Sequence, residues 1–258
     1  MSIYDFRGNK IKEIKVPWVS SSHRGRTSNT IPENTIPALY EAWRNGADWI
    51  ETDVRTTSDG VYVLSHDATI TGTVNGVSTT YTIASETYST LQGLLLGTDA
   101  KYGGIHIGKL EDALKLCLYT GMRANIDCKV ITASTLAALV VNTGMSGKCS
   151  YANTTTSKAT DIISVDANAG FIFPYADLAA WNDFLTKAEN RCNSFAWGSP
   201  ITTEKLESVK AAGFKYLLNG VTTIGSLTCI PDVIEFNSNA DIEAANKAYL
   251  DAVMTILS

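Results

Sequence analysis

The sequence predicts an α/β chain folded as a (β/α)8 barrel. Strand-like apolar runs alternate with helical periodicity, the length suits one barrel, and charged groups recur where strands end. The chain has 258 residues, against roughly 250 for such a barrel, so a single domain over 1–258 is expected. Its 45% hydrophobic content is ample for one core.

Residues 1–15 read as a small polar hairpin with Gly8-Asn9 at its turn. Residues 16–19 read as the first buried strand, ending at Ser20-Ser21-Ser22-His23. A helix is expected after Pro32-Glu33-Asn34-Thr35, because Ala38, Leu39, Ala42 and Trp43 share one helical face; Gly46 stops it. Strands are expected at 49–54 and 61–65, then a helix at 110–119 with Leu110, Ala113, Leu114 and Cys117 on one side. A strand at 122–130 precedes a helix at 134–142, ended by Gly144. Strands at 150–153, 171–174, 215–218 and 233–236 follow, with helices near 159–165, 178–188 and 204–212. Eight strands separated mostly by helices form a parallel sheet that closes on itself.

One segment breaks this rhythm. Residues 68–108 hold Thr71-Gly72-Thr73-Val74-Asn75-Gly76 and a second stretch at 88–96, too long for an ordinary loop. Following the carboxyl end of a strand, it is expected over the barrel mouth as a substrate-covering insertion, a decorative excursion being the alternative.

A formal net charge of -5 without a Lys/Arg cluster argues against nucleic acid as partner. A small anionic substrate stays compatible, since local cations and a metal can reverse the field in a cleft. Cys117, Cys128, Cys149, Cys192 and Cys229 form no CxxC pair and read as reduced, packed thiols. The start, Met1 to Arg7, lacks a basic segment and apolar run, and the apolar stretch 136–141 is too short to span a bilayer. A cytoplasmic protein is expected, with a secreted mature form the alternative. The pattern specifies no oligomeric state.

Charged groups cluster at four successive strand ends: His23-Arg24-Gly25, Glu51-Thr52-Asp53, His66-Asp67 and Asp127-Cys128-Lys129. Alternation puts Glu51 and Asp53 on one face; Asp127 and Lys129 likewise point together, with Cys128 toward the helices. Two inward carboxylates need a shared proton or a cation between them. Asp127 makes a third, an oxygen set suited to Mg²⁺ or Ca²⁺ rather than zinc. Arg24 and Lys129 can bind phosphate oxygens, and His23 and His66 can exchange protons. Singly, an ExD is usually a solvated strand end and a lone His structural; a stability argument gives no reason for all four together. Gly25 is also explained by turn geometry. His106 reads as structural or surface, and Trp18, Trp43 and Trp49 as core.

These runs, with Gly46-Ala47-Asp48-Trp49-Ile50-Glu51-Thr52-Asp53-Val54, Thr57-Ser58-Asp59-Gly60 and Val63-Leu64-Ser65-His66-Asp67, resemble the glycerophosphodiester phosphodiesterase family. The resemblance spans 20–67 in the family's order and reaches about residue 130 with Asp127 and Lys129. It implies a barrel with an insertion after strand three and a divalent cation, Mg²⁺ or Ca²⁺. By position it makes His23 and His66 the acid–base pair and Glu51, Asp53 and Asp127 the metal ligands. Arg24 and Lys129 would bind phosphate, and Glu33 would fix the first loop, through a bond to its backbone.

The implied reaction hydrolyses a small-molecule glycerophosphodiester to glycerol 3-phosphate and an alcohol through a cyclic phosphate. The residues alone equally allow direct attack by water. Three positions depart from the family. Asp127 stands where Glu is usual, as in the sphingomyelinase D-type enzymes. Leu218-Asn219 replaces a Trp-Thr pair, and Phe236-Asn237 a Thr-Asp pair. The alternatives are a phospholipase D-like or C-like enzyme acting on a lysolipid or sphingolipid, for whose tail Leu94, Leu95 and Leu96 would serve, and a barrel that binds without turnover. The complete histidine pair disfavours the last.

Overall fold

Parallel pairing runs through eight strands and back to the first in the computed structural model. It describes residues 2–4, 10–13, 19–25, 30–129, 131–190, 194–198, 201–221 and 232–257. The first elements are β1 (Ser2–Tyr4) and its antiparallel partner β2 (Lys10–Glu13), then β3 (Val19–His23), α1 (Ile36–Arg44) and β4 (Trp49–Thr56). Next come β5 (Tyr62–Leu64), β6 (Thr69–Val74), β7 (Val77–Thr82), α2 (Tyr88–Gln92), β8 (Gly97–Asp99) and β9 (Gly103–Ile105). After α3 (Leu110–Thr120) follow β10 (Arg123–Cys128), α4 (Ala133–Asn142), β11 (Cys149–Ala152), α5 (Thr156–Ile163) and β12 (Gly170–Pro174). The last are α6 (Leu178–Lys187), β13 (Phe195–Trp197), α7 (Thr203–Ala211), β14 (Lys215–Val221), β15 (Val233–Phe236) and α8 (Asn239–Leu257).

The staves are β3, β4 and β10 to β15, with β10 paired to β4 to close the ring. The expected count of eight holds, with one member exchanged. The strand read at 61–65 is β5, and it pairs antiparallel with β4 through Val54–Leu64, Arg55–Val63 and Thr56–Tyr62. Thr57-Ser58-Asp59-Gly60 is too short to connect parallel neighbours, which need a crossover of about a dozen residues or more. It forms a hairpin turn instead: the Thr57 hydroxyl donates to Asp59 Oδ1 at 2.5 Å, and Gly60 takes φ +80°. The stave in its place is β13, whose three residues are too few to show a period.

Helix α3 buries the stripe its spacing indicates, and α1 all of its own but Trp43. Ala38, Leu39 and Ala42 of α1, and Leu110, Ala113, Leu114 and Cys117 of α3, are wholly buried against the barrel. Thr35 caps α1, its hydroxyl oxygen accepting from Ala38 N, a bond typically worth ~1 kcal/mol. Trp43 is a correction: it is 37% exposed and leans on Tyr40, with ring centroids 5.5 Å apart. Measured round the helix from Ala38, Ala42 lies at about 40° and Leu39 at about 100°, while Trp43 at about 140° falls past the edge of the buried stripe. Trp49 is buried, but inside the barrel, where it packs edge-on against Phe195 beside Ile172, Leu217 and Val233. This aromatic layer closes the amino-terminal end, so the interior opens toward the carboxyl ends of the staves. Trp18, Cys192 and Cys229 lie outside the described residues; Cys117, Cys128 and Cys149 are buried free thiols.

Between β5 and α3, the β6–β7 hairpin and α2 gather on Val63, Ile83, Leu91 and Ile107, while the β8–β9 pair sets Ile105 against Ile31 and Ala38. Glu41 of α1 fastens this segment, accepting from Lys101 Nζ at 2.5 Å and from the Tyr102 hydroxyl. His106 is surface-exposed, with Nδ1 on the Leu94 carbonyl at 2.9 Å. Among the described residues, no helix is long and apolar enough to cross a membrane.

Candidate active site

Register decides which inward side chains meet. Glu51 lies level with His23 on one neighbouring stave and with Asn125 on the other, and Asp53 lies level with Asp127. Glu51, Asp53 and Asp127 each bring one carboxylate oxygen within 4.8 Å of the others. One Ca²⁺ at about 2.3–2.6 Å spans oxygens this far apart, whereas one Mg²⁺ at about 2.0–2.1 Å would draw them to within about 4.2 Å of one another. The donor set is hard and anionic, so these residues fit such a cation.

The two carboxylates on β4 are in opposite electrostatic conditions. Burial pushes Glu51 well above the ordinary range, and Glu235, Asp53 and Asp127 push it further, with Arg24 opposing. Burial also pushes Asp53 upward, but the hydrogen bond from Asn34 and the charges of Arg24 and Lys129 outweigh it, and its pKa is lowered. A proton or cation is therefore needed at Glu51 far more than at Asp53.

The β3–α1 loop builds the rim. Arg24 and Gly25 turn the chain at φ +58° and +61°. A Cβ on Gly25 would lie 2.7 Å from the Ala38 backbone, so loop and helix approach only because it is glycine. Arg24 N donates to Glu51 Oε2 at 3.0 Å; its Nε lies 3.0 Å from Asp53 Oδ2 and its Nη1 2.9 Å from Glu33 Oε1. Glu33 thus reaches the loop through the Arg24 guanidinium. Lys129 Nζ stands 2.7 Å from Asp127 Oδ2 and 3.1 Å from Asp53 Oδ1. Both cations expected on phosphate compensate the carboxylate cluster here.

His23 joins the cluster, with Nε2 3.9 Å from Glu51 Oε2. With Glu51, Asn125, Asp127 and Glu235 it lines a cavity of about 260 Å³, walled on one side by Trp197 and Leu217. His66 does not line that cavity. It sits with Glu33, Asn34, Asp67, Thr69 and Thr71 around a second pocket of about 200 Å³. There its Nδ1 lies 2.8 Å from Asp67 Oδ1, and Arg55 Nε and Nη2 donate to its carbonyl at 3.0 and 2.6 Å.

Three residues that sequence reasoning missed hold these groups together. Asn34, at φ +55°, donates from Nδ2 to Asp53 Oδ2 at 2.9 Å; its Oδ1 accepts from the Thr52 hydroxyl at 2.8 Å and from Asp53 N at 3.1 Å. It also walls the His66 pocket, so it links the two sites. Glu235 is buried in the barrel with its pKa pushed up to about 7, by burial first and then by Asp127 and Asp53, against a 3.5 Å bond from Asn125 Nδ2. Its signal was a lone charge inside the apolar strand Val233–Phe236; that of Asn125 was the face it shares with Asp127.

Fold and site together define a closed (β/α)8 barrel with a carboxylate centre at the carboxyl end of its staves, the face on which such barrels carry their sites. Within that class, the chain belongs to the Glycerophosphoryl diester phosphodiesterase family, whose model matches residues 23–172. A glycerophosphodiester phosphodiesterase of Caldanaerobacter subterraneus subsp. tengcongensis is 37% identical over 109 residues, 42% of this chain and 44% of that protein. The chain thus matches less than half the length of that curated relative. A crystal structure of a glycerophosphodiester phosphodiesterase from Agrobacterium tumefaciens has a TM-score of 0.70 at 22% identity, over 88% of this chain and 99% of that one. A phosphodiesterase of Oleispira antarctica, solved in complex with the product sn-glycerol-3-phosphate, has a TM-score of 0.68 at 20% identity, over 90% of this chain and 96% of that one. At these identities the two structures show a shared fold.

Proposed function

We propose that the chain hydrolyses glycerophosphodiesters to glycerol 3-phosphate and an alcohol. The observation that carries this reading is the carboxylate triad within 4.8 Å, flanked by Arg24 and Lys129 and with His23 beside Glu51. The family supports it, as does the product named for the Oleispira structure. A divalent cation on Glu51, Asp53 and Asp127, when bound, would offset the phosphate charge and lower the pKa of the substrate hydroxyl. Arg24 and Lys129 would then exchange carboxylate partners for phosphate oxygens.

Each histidine has its own pocket, which suits a displacement with one proton leaving on one side of phosphorus and one arriving on the other. His23, in the carboxylate cavity, takes the proton of the glycerol hydroxyl as it attacks phosphorus. His66 gives a proton to the departing alcohol. Water then opens the cyclic phosphate, with the two roles reversed. The lipid reading loses one of its supports: Leu94 is wholly buried in the core.

The test is release of glycerol 3-phosphate from glycerophosphocholine by EDTA-treated protein, before and after Mg²⁺ or Ca²⁺ is added. Hydrolysis only with the cation is expected. No hydrolysis under either condition, or faster turnover of a lysophospholipid, would overturn the proposal.

A further inference from the structure

The Thr-rich hairpin over the His66 pocket has a regular chemistry that neither the fold nor the proposed reaction uses. In the β6–β7 register Thr69 faces Thr82, Thr71 faces Thr80 and Thr73 faces Ser78, so six hydroxyl side chains make three rungs on one face. Ile70, Val74 and Tyr81 take the other face, and Ile70 and Tyr81 pack against the apolar cluster beneath. The hydroxyl face is largely exposed, and Thr71 and Thr80 hydroxyls lie 2.8 Å apart. Thr69 and Thr71 also line the pocket that contains His66, together with Ile70 from the other face, so the hydroxyl face borders the pocket at these two threonines.

Solvation alone does not account for this composition. Exposed strands are ordinarily protected by charged side chains, yet residues 69–82 contain none. What the face offers is a row of groups that each donate and accept a hydrogen bond. A choline headgroup would seek an aromatic cage, and among the described residues this pocket is lined by no Phe, Tyr or Trp; its carboxylates, Glu33 and Asp67, already face Arg24 and His66. An acyl chain laid on the hairpin would strip water from six hydroxyls and return no bond to them. A polyol matches both the donors and the acceptors.

We propose that the hydroxyl face of the β6–β7 hairpin, with the His66 pocket below it, binds the leaving alcohol of the substrate and selects a polyhydroxy alcohol. This rests on the hydrolysis proposed above, with His66 on the leaving-group side.

The experiment compares kcat/KM for glycerophosphoglycerol and glycerophosphocholine in the cation-loaded protein. The wild type should favour the polyol diester by about tenfold or more, chiefly through KM; tenfold corresponds to about 1.4 kcal/mol, the scale of one or two net hydrogen bonds. The doubly substituted Thr71→Val, Thr80→Val protein keeps β-branched residues suited to a strand, and its preference should fall toward unity. Thr71→Ser with Thr80→Ser should restore it, and Thr79→Val on the opposite face should leave it unchanged. A wild type with no preference, a valine variant that keeps the preference, or one that loses both substrates equally would overturn the inference. Hydrolysis of neither diester by the wild type would overturn the underlying reaction, and this inference with it.

Discussion

At the scale of single residues, the site is organised by Asn34 as much as by the charged groups. One side chain makes three bonds that fix Asp53 against Thr52, and its left-handed backbone is what aims it there. Asn34→Gly preserves that backbone conformation and removes the bonds. It should cost about 1–3 kcal/mol in denaturant unfolding, because Thr52 and Asp53 are left partly unsatisfied in a buried place. An unchanged midpoint would show that water replaces the amide. The histidines give a second expectation. His23→Ala and His66→Ala should each lower turnover by about 10²–10⁴, and the double variant by much less than the product. Cation affinity, measured by calorimetry, should stay near wild type in both. Near-normal turnover in either single variant would remove that residue from the proposed mechanism.

At the scale of elements, the approach of the β3–α1 loop to α1 sets where Arg24 stands. Gly25→Ala adds a methyl 2.7 Å from the Ala38 backbone at a φ that L-residues rarely adopt. The loop must lift, taking Arg24 from Asp53 and Glu33. The variant should be destabilised by more than about 1 kcal/mol and should lose substrate affinity as well. Thermal unfolding and KM together check this; a wild-type KM in a destabilised protein would show that Arg24 is held by its ion pairs alone. The β4–β5 turn acts at the same scale. By reversing the chain, it brings Ser65 N onto the Asp53 carbonyl at 3.0 Å and sets the next residue, His66, in the second pocket, while His23 lines the first.

At the scale of the whole molecule, barrel closure concentrates negative charge that the interior cannot solvate. Glu51 and Glu235 are both raised, Glu235 from 4.5 to about 7. The folded state therefore keeps protons that the unfolded chain releases. Their contribution to stability is present below about pH 4.5 and is lost as pH rises through about 7. Chelated protein should unfold at lower denaturant at pH 8 than at about pH 5. Mg²⁺ or Ca²⁺ should raise the pH 8 midpoint with increasing concentration, as a ligand of the native state does. A midpoint in chelator that climbs with pH, or ignores the cation, would contradict the assignment of the carboxylates.

Much of this protein was legible in one dimension. Period-three-and-four spacing places α1 and α3 and most of their buried faces, and alternation puts Glu51 and Asp53 on one face, and Asp127 with Lys129, because local geometry follows from nearest neighbours. Strand sense, stave membership and register are different in kind. Residues 61–65 read as a strand whichever way they run, and only pairing with Val54 to Thr56 makes them antiparallel. Glu235 reads as an odd charge in an apolar strand until closure brings β15 round to β3 and sets it near Glu51 and Asp127. Trp43 departs from its expected burial because the direction of the α1 stripe is chosen by what packs against it. By itself the sequence determined the barrel, its helical faces, the family and the residues of the carboxylate cluster. The tertiary structure alone decided which of these residues meet, that Arg24 and Lys129 neutralise carboxylates, that the histidines occupy separate pockets, and that Asn34 and Glu235 belong to the site. Such proximity arises from long-range strand pairing, which no local pattern encodes.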